Sequence, residues 1–147
     1  MAGSKVADSE LLDGEDLVDV LPSGNLPSGA TIRGTYNMYD EAHIPEVASS
    51  GAISFGYTLA STPTVDVIEQ GAPLTTNCPQ RGDDFSGEVP EAAPGFLCIY
   101  EWDESNERNG SGYPFISNTS RTGTGITVRS EGTGIFYSEG VWAVTAP

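Results

Sequence analysis

The stretch "AISFGYTL", residues 52–59, constrains the fold more than any other. Ile53, Phe55, Tyr57 and Leu59 alternate with Ser54, Gly56 and Thr58. A period of two places one set on a buried face and the other on the opposite face, which is a strand and not a helix. The same alternation returns in "GITVRSEG", where Ile126 and Val128 oppose Thr127 and Arg129. In "TPTVDVIEQG", Val65 and Val67 are expected inward and Asp66 outward, with Pro63 at the start, where a missing N–H is tolerated.

Between these runs lie turn residues. The chain holds 18 glycines and 10 prolines in 147 residues. Short strands separated by Gly/Pro turns indicate an all-β domain of about seven strands. "FLCIYEW", residues 96–102, is continuously apolar and reads as a central strand. "YPFI", residues 113–116, reads as a short edge strand. "GTGIFYSEGVWAVTAP" reads as two strands, Ile135–Tyr137 and Val141–Thr145, with Ser-Glu-Gly as the turn between them. The simplest architecture is a jelly-roll-like β-sandwich.

The N-terminal segment differs in kind. Residues 1–20 are acidic and nearly free of aromatics, and "LPSGNLPSG" (21–29) repeats Leu-Pro-Ser-Gly in a linker of turns. The domain boundary is therefore placed between an arm and linker, 1–29, and a sandwich domain, 30–147. Within the arm, "ELLDGEDLVDVL" lacks the order of a calcium loop, and Gly14, Val18 and Val20 make a poor isolated helix. Leu11, Leu12, Leu17, Val18, Val20 and Leu21 cannot form a core by themselves. Copies of the same chain are the simplest surface to cover them, so these six are the expected assembly residues.

Six basic residues face 21 acidic ones, a formal charge of −15. Lys5, Arg33, Arg81, Arg108, Arg121 and Arg129 are scattered, so no basic patch suits a phosphate backbone or anionic lipid. No apolar run has the length of a membrane span. The first twelve residues do not read as a secretion signal, so exposure outside a cell would need another route, such as release of an assembled particle.

Chemistry is sparsely signalled. His43 is the single histidine, and neither a Gly-x-Ser-x-Gly elbow nor a second metal-binding histidine is present. An enzyme is not expected, and neither is a cofactor. Asp83 and Asp84 in "GDDFSGE" and Asp103 in "DESNERNG" are weak candidates for a hard cation, but a solvated acidic turn is the simpler reading. Tyr100, Trp102, Tyr113 and Phe115 bracket that second turn. Aromatics beside Asn, Glu and Arg can form a ligand surface for sugars, although core and edge packing is the simpler reading.

Residues 70–95 form a loop long enough to need either a function or an anchor. Cys78 lies within it and Cys98 within the apolar strand. They are either two buried thiols or a disulfide pinning the loop, and the disulfide is the favoured reading. A closed loop of that size contributes about 3 kcal/mol in the chain-entropy model.

"VADSELLDGEDLVDVL" resembles the Ala-Asp-x-Leu-Asp-Gly-x-Asp-Ser-x-x-Phe-Leu segment of phage tail-fibre and fibre-like bacterial proteins. The match runs through Ala7, Asp8, Leu12, Asp13, Gly14, Asp16 and Leu21. Leu17 stands where Ser is usual and Val20 where Phe is usual. "SGATIRGTY", "AISFGYTL", "APGFLCIYE" and "GVWAVTAP" are similar to the β-rich C-terminal domains of such proteins. The resemblance implies a non-enzymatic, homotrimeric fibre head or virion decoration that binds a cell-surface glycan or protein receptor. A monomeric carbohydrate-binding or adhesin module is the alternative.

Overall fold

The computed structural model describes residues 11–12, 15–16, 24–82, 87–108 and 114–147. Among them are nine strands and no helix. β1 (Leu11–Leu12) and β2 (Glu15–Asp16) form a short antiparallel pair. The other seven are β3 (Thr31–Ala42), β4 (Ala48–Ser54), β5 (Thr64–Ile68), β6 (Phe96–Ser105), β7 (Phe115–Ser117), β8 (Gly123–Arg129) and β9 (Gly134–Thr145). They make a four-stranded sheet, β3-β9-β6-β5, and a three-stranded sheet, β4-β8-β7.

The register explains how two sheets arise from one ribbon. β3 pairs with β9 from Thr31↔Thr145 to Ala42↔Gly134. The same ribbon resumes as β4 with β8, from Ala48↔Arg129 to Ser54↔Gly123. At the crossing, the amide of Glu46 donates to the carbonyl of Ser130, and that of Ser130 donates to Val47. The ribbon thus folds over and contributes one half to each sheet. β6 and β7 flank it on the other side, pairing with β9 and β8.

Side chains between the sheets form the main core. Tyr36, Met38, Leu97, Ile99, Phe136, Trp142 and Val144 come from the four-stranded sheet. Ile53, Ile126 and Val128 come from the other. The alternation in "GITVRSEG" holds, with Ile126 and Val128 buried on one face of β8. In "AISFGYTL" the strand itself is β4, which begins at Ala48 and ends at Ser54. Phe55 and Leu59 are still buried beyond it, past the left-handed Gly56. Leu26 joins this core, and residues 24–26 bond to Thr58, so the last part of the Pro/Gly linker docks on the sandwich.

One strand assignment needs correction. Ser138-Glu139-Gly140 is not a turn: β9 runs unbroken from Gly134 to Thr145. Ser138 is buried and bonded to Glu101. Gly140 lies where a Cβ would collide with the carbonyl of Tyr100 and press on the Tyr36 ring. Its glycine is needed for close packing, not for a bend.

β5 and β6 are parallel, in register from Thr64↔Phe96 to Ile68↔Tyr100. A parallel pair needs a crossover connection. The connection between them supplies it, and its described parts, 69–82 and 87–95, pass over the outer face of the four-stranded sheet.

Candidate functional site

The outer face of the four-stranded sheet is divided in two. At the end holding Thr31, Thr145 and Phe96, the crossover covers it. Cys78 and Cys98 form a disulfide with Cα atoms 5.6 Å apart, and both are fully buried. Around them pack Ile68, Tyr100 and Val141, with Ala72, Ala92 and Phe96 at the margin. This second cluster is separate from the core between the sheets.

Polar contacts hold the crossover down. The Arg81 guanidinium donates to the carbonyls of Glu101, Glu69 and Ala72. Thr75 donates its hydroxyl to Asp66 and accepts from the amide of Cys78. Farther across, Thr145 donates to the carbonyl of Ala92, and the side chain of Arg33 donates to that of Pro90. The crossover therefore reaches from β5 to β3, the full width of the sheet.

At the other end the same face is bare. Tyr39 on β3 lies opposite Tyr137 on β9, and their rings stack with centroids 6.4 Å apart and planes 12° apart. Ile135 points to the same face two residues earlier. Tyr39 is 62% exposed and Ile135 51%. Polar groups surround the pair: Tyr137 donates to Asp103, and Asn37 donates to Glu139. The hydrogen bond to the Asp103 carboxylate raises the Tyr137 pKa above its ordinary value.

A shallow depression of about 220 Å³ marks the boundary between the halves. Thr35, Tyr36, Asn37, Trp102, Glu139 and Gly140 line it. Trp102 leans on the second cluster from the covered side, and Gln70 donates to its carbonyl.

The expected ligand surface does not gather as one patch. Tyr100 is fully buried and its hydroxyl donates to the carbonyl of Glu91, so it presents no face to a ligand. Burial pushes its pKa up to about 12. Trp102 is half-buried on the outer face of one sheet, whereas Phe115, 54% exposed, sits on β7 at the edge of the other. Tyr113 lies outside the described residues. Sequence reasoning passed over Tyr39, Tyr137 and Ile135. Their alternation was visible, but nothing in it showed which of the two faces would be left uncovered.

Of the cation candidates, Asp103 is engaged by Tyr137, by Gln70 and by the amide of Glu104. Asp83 and Asp84 lie outside the described residues. Of the arm residues, Leu11 and Leu12 form β1, while Leu17, Val18, Val20 and Leu21 lie outside. His43 is exposed in the turn between β3 and β4.

A polar group also sits between the sheets. Glu101 on β6 and Glu107 just beyond it are both buried. Glu101 accepts hydrogen bonds from Ser138 and from the amide of Gln70. Burial first, and then the neighbouring Glu101 charge, push the Glu107 carboxyl up to about 9.

No family model matches the chain, and neither a curated protein nor a solved structure is significantly similar to it. No described helix is long and apolar enough to cross a membrane.

Proposed function

We propose that the chain is a non-enzymatic assembly subunit: a jelly-roll-like head that self-associates, with its acidic arm interlocking between copies. The bare half of the sheet, with Tyr39, Tyr137 and Ile135, carries this reading. An exposed apolar group on a rigid, twisted sheet is an ordinary site of protein association. Covering each of the three side chains contributes on the order of 2 kcal/mol. Three of them roughly match the low end of the 4–15 kcal/mol or more that association costs. The face alone would hold copies weakly, so the arm must add contacts through Leu11, Leu12, Leu17, Val18, Val20 and Leu21.

Charge sharpens the proposal. A chain of −15 repels its own copies, and salt screens that repulsion over about 8 Å at physiological strength. Association should therefore strengthen as salt rises. The trimer and the place in a phage tail fibre, virion decoration or cell-surface appendage follow from the fibre resemblance. The buried disulfide agrees with an oxidising, extracellular setting. A glycan or protein receptor would then meet the surfaces that assembly leaves free.

The test is the mass in solution of the whole chain and of a form lacking residues 1–23, a cut that spares Leu26. Assembly that weakens on deletion while the head stays folded supports the interlocking arm. Unchanged assembly would confine the contact to the head.

The depression at Trp102 favours one second reading, a monomeric carbohydrate-binding or adhesin module. An aromatic wall with Asn37, Thr35 and Glu139 beside it suits a sugar ring. A one-chain particle that binds a glycan, and loses it on Trp102→Ala, would support this reading over assembly.

A further inference from the structure

The carboxyl pair between the sheets has no use in the assembly reading. Glu101 and Glu107 are each only 3% exposed. Glu101 is supplied with donors: Ser138 Oγ at 2.7 Å on Oε1 and the Gln70 amide at 3.1 Å on Oε2. Glu107 is not, because no donor fills either of its oxygens among the described residues. What lies within hydrogen-bond reach of its carboxyl is Glu101 and Ser138.

That neighbourhood decides the protonation of the pair. An ionised carboxylate can only accept, and a serine hydroxyl has one proton to give. Ser138 gives its proton to Glu101. Glu107 therefore faces two acceptors, and a bond to either needs a proton of its own. Left ionised, it would be a second buried charge beside the first, with no donor to satisfy it. A carboxyl in that position takes up a proton instead. The cations on the surrounding elements are engaged elsewhere. Arg81 donates to three main-chain carbonyls, Arg108 pairs with Glu46, and Arg129 donates to the Glu46 carbonyl. Tyr36 on β3 and Glu104 on β6 also face the pair, and neither brings positive charge.

We infer that Glu107 is held as the neutral acid and donates its proton to the Glu101–Ser138 group, so that two carboxyls share one negative charge and form a pH-sensitive latch. The latch sits where the ribbon crosses between the sheets. Glu107 bridges to Ser130, whose amide donates to Val47 and whose carbonyl accepts from Glu46. Glu101 stands at the register shift of β6 against β9. With the proton in place, the pair ties the crossing to the four-stranded sheet. When hydroxide removes that proton, two charges share one dry site and push the crossing and the sheet apart. Burial and the Glu101 charge lift the Glu107 carboxyl from 4.5 to about 9. Across that window the folded chain holds one proton more than the unfolded chain. The contribution of the latch is therefore complete below pH 4.5 and is lost as pH rises through about 9.

The experiment is an infrared titration of the full-length protein with Glu107→Gln as reference, alongside urea unfolding from about pH 6 to about 9. The carbonyl stretch of a protonated carboxyl is expected in the wild type at pH 7. It should fade as pH approaches about 9 and be absent from Glu107→Gln. The wild-type unfolding constant should rise by up to about tenfold per pH unit in that range. Glu107→Gln still donates, through its amide, and should rise much less. Glu104→Gln makes the same charge change nearby and should keep both the band and the slope. The inference is overturned if the wild type shows no such band at pH 7, because Glu107 would then be ionised. It is also overturned if Glu107→Gln keeps the band and the slope, because the proton would then sit on another group. Should Glu107→Gln not fold, Glu101→Gln takes its place. Its amide gives Glu107 a donor and removes the neighbouring charge, so the band should fade at a lower pH, and an unmoved band overturns the pairing.

Discussion

The two halves of one sheet face have opposite fates. Beneath the crossover, Tyr100 and Cys98 are as buried as any residue between the sheets, and Val141 nearly so. Beyond it, Tyr39 and Tyr137 stack in the open. β9 runs through both halves, and both carry aromatic side chains. What separates them is the crossover between β5 and β6, held by one disulfide, by Arg81 and Arg33, and by Thr145. The covered half is a second core that stabilises the chain. The bare half is a surface waiting for cover, and we assign it to other copies of the chain.

Substitutions in the covered half should cost stability, and those in the bare half should cost assembly. The largest stability effect is expected from Cys78→Ser with Cys98→Ser. It should lower stability by about 3 kcal/mol in a urea titration, because the crossover loses its covalent anchor. Arg81→Ala should follow at about 2 kcal/mol, since three carbonyls lose a charged donor. If either variant melts like the wild type, the crossover is not what holds this half together.

Tyr100→Phe should cost about 1 kcal/mol, the value of its bond to Glu91. It also carries a pH signature. The Tyr100 hydroxyl has a folded pKa of about 12 against an ordinary value of 10. Its contribution is therefore complete below pH 10 and is lost as pH rises through 12. Wild-type stability should fall over that window, and Tyr100→Phe should flatten the fall. The smallest effect on stability, within about 0.5 kcal/mol, is expected from Tyr39→Ser with Tyr137→Ser. That pair should nevertheless weaken self-association, and so reverses the order of effects if assembly is the readout.

The sequence revealed much of the frame and little of the site. Ile53, Ile126 and Val128 announced their face because a half-buried strand alternates. "FLCIYEW" announced a central strand because both its faces are buried. That continuous burial also hid the difference between Leu97 and Ile99, which face the other sheet, and Cys98 and Tyr100, which face the crossover. Local pattern therefore offers Tyr100 as a ligand residue, although it is buried under the crossover. Ser138-Glu139-Gly140 carries turn residues, and only the approach of the Tyr100 carbonyl shows why a glycine is needed in mid-strand. Glu107 lies in "ESNERNG", as polar as any exposed turn, and its burial depends on the ribbon crossing above it. These features arise from contacts distant in the chain, which local pattern does not encode.

The most direct measurement is the solution mass of the wild type and of the Tyr39→Ser, Tyr137→Ser variant, by light scattering on a sizing column across a range of salt. The account calls for a wild-type mass of several chains, near three by the fibre resemblance, growing firmer with salt, and a smaller mass for the variant. A wild type that runs as one chain of 15.4 kDa at every salt concentration would contradict it, and would leave the bare half to a partner of another kind.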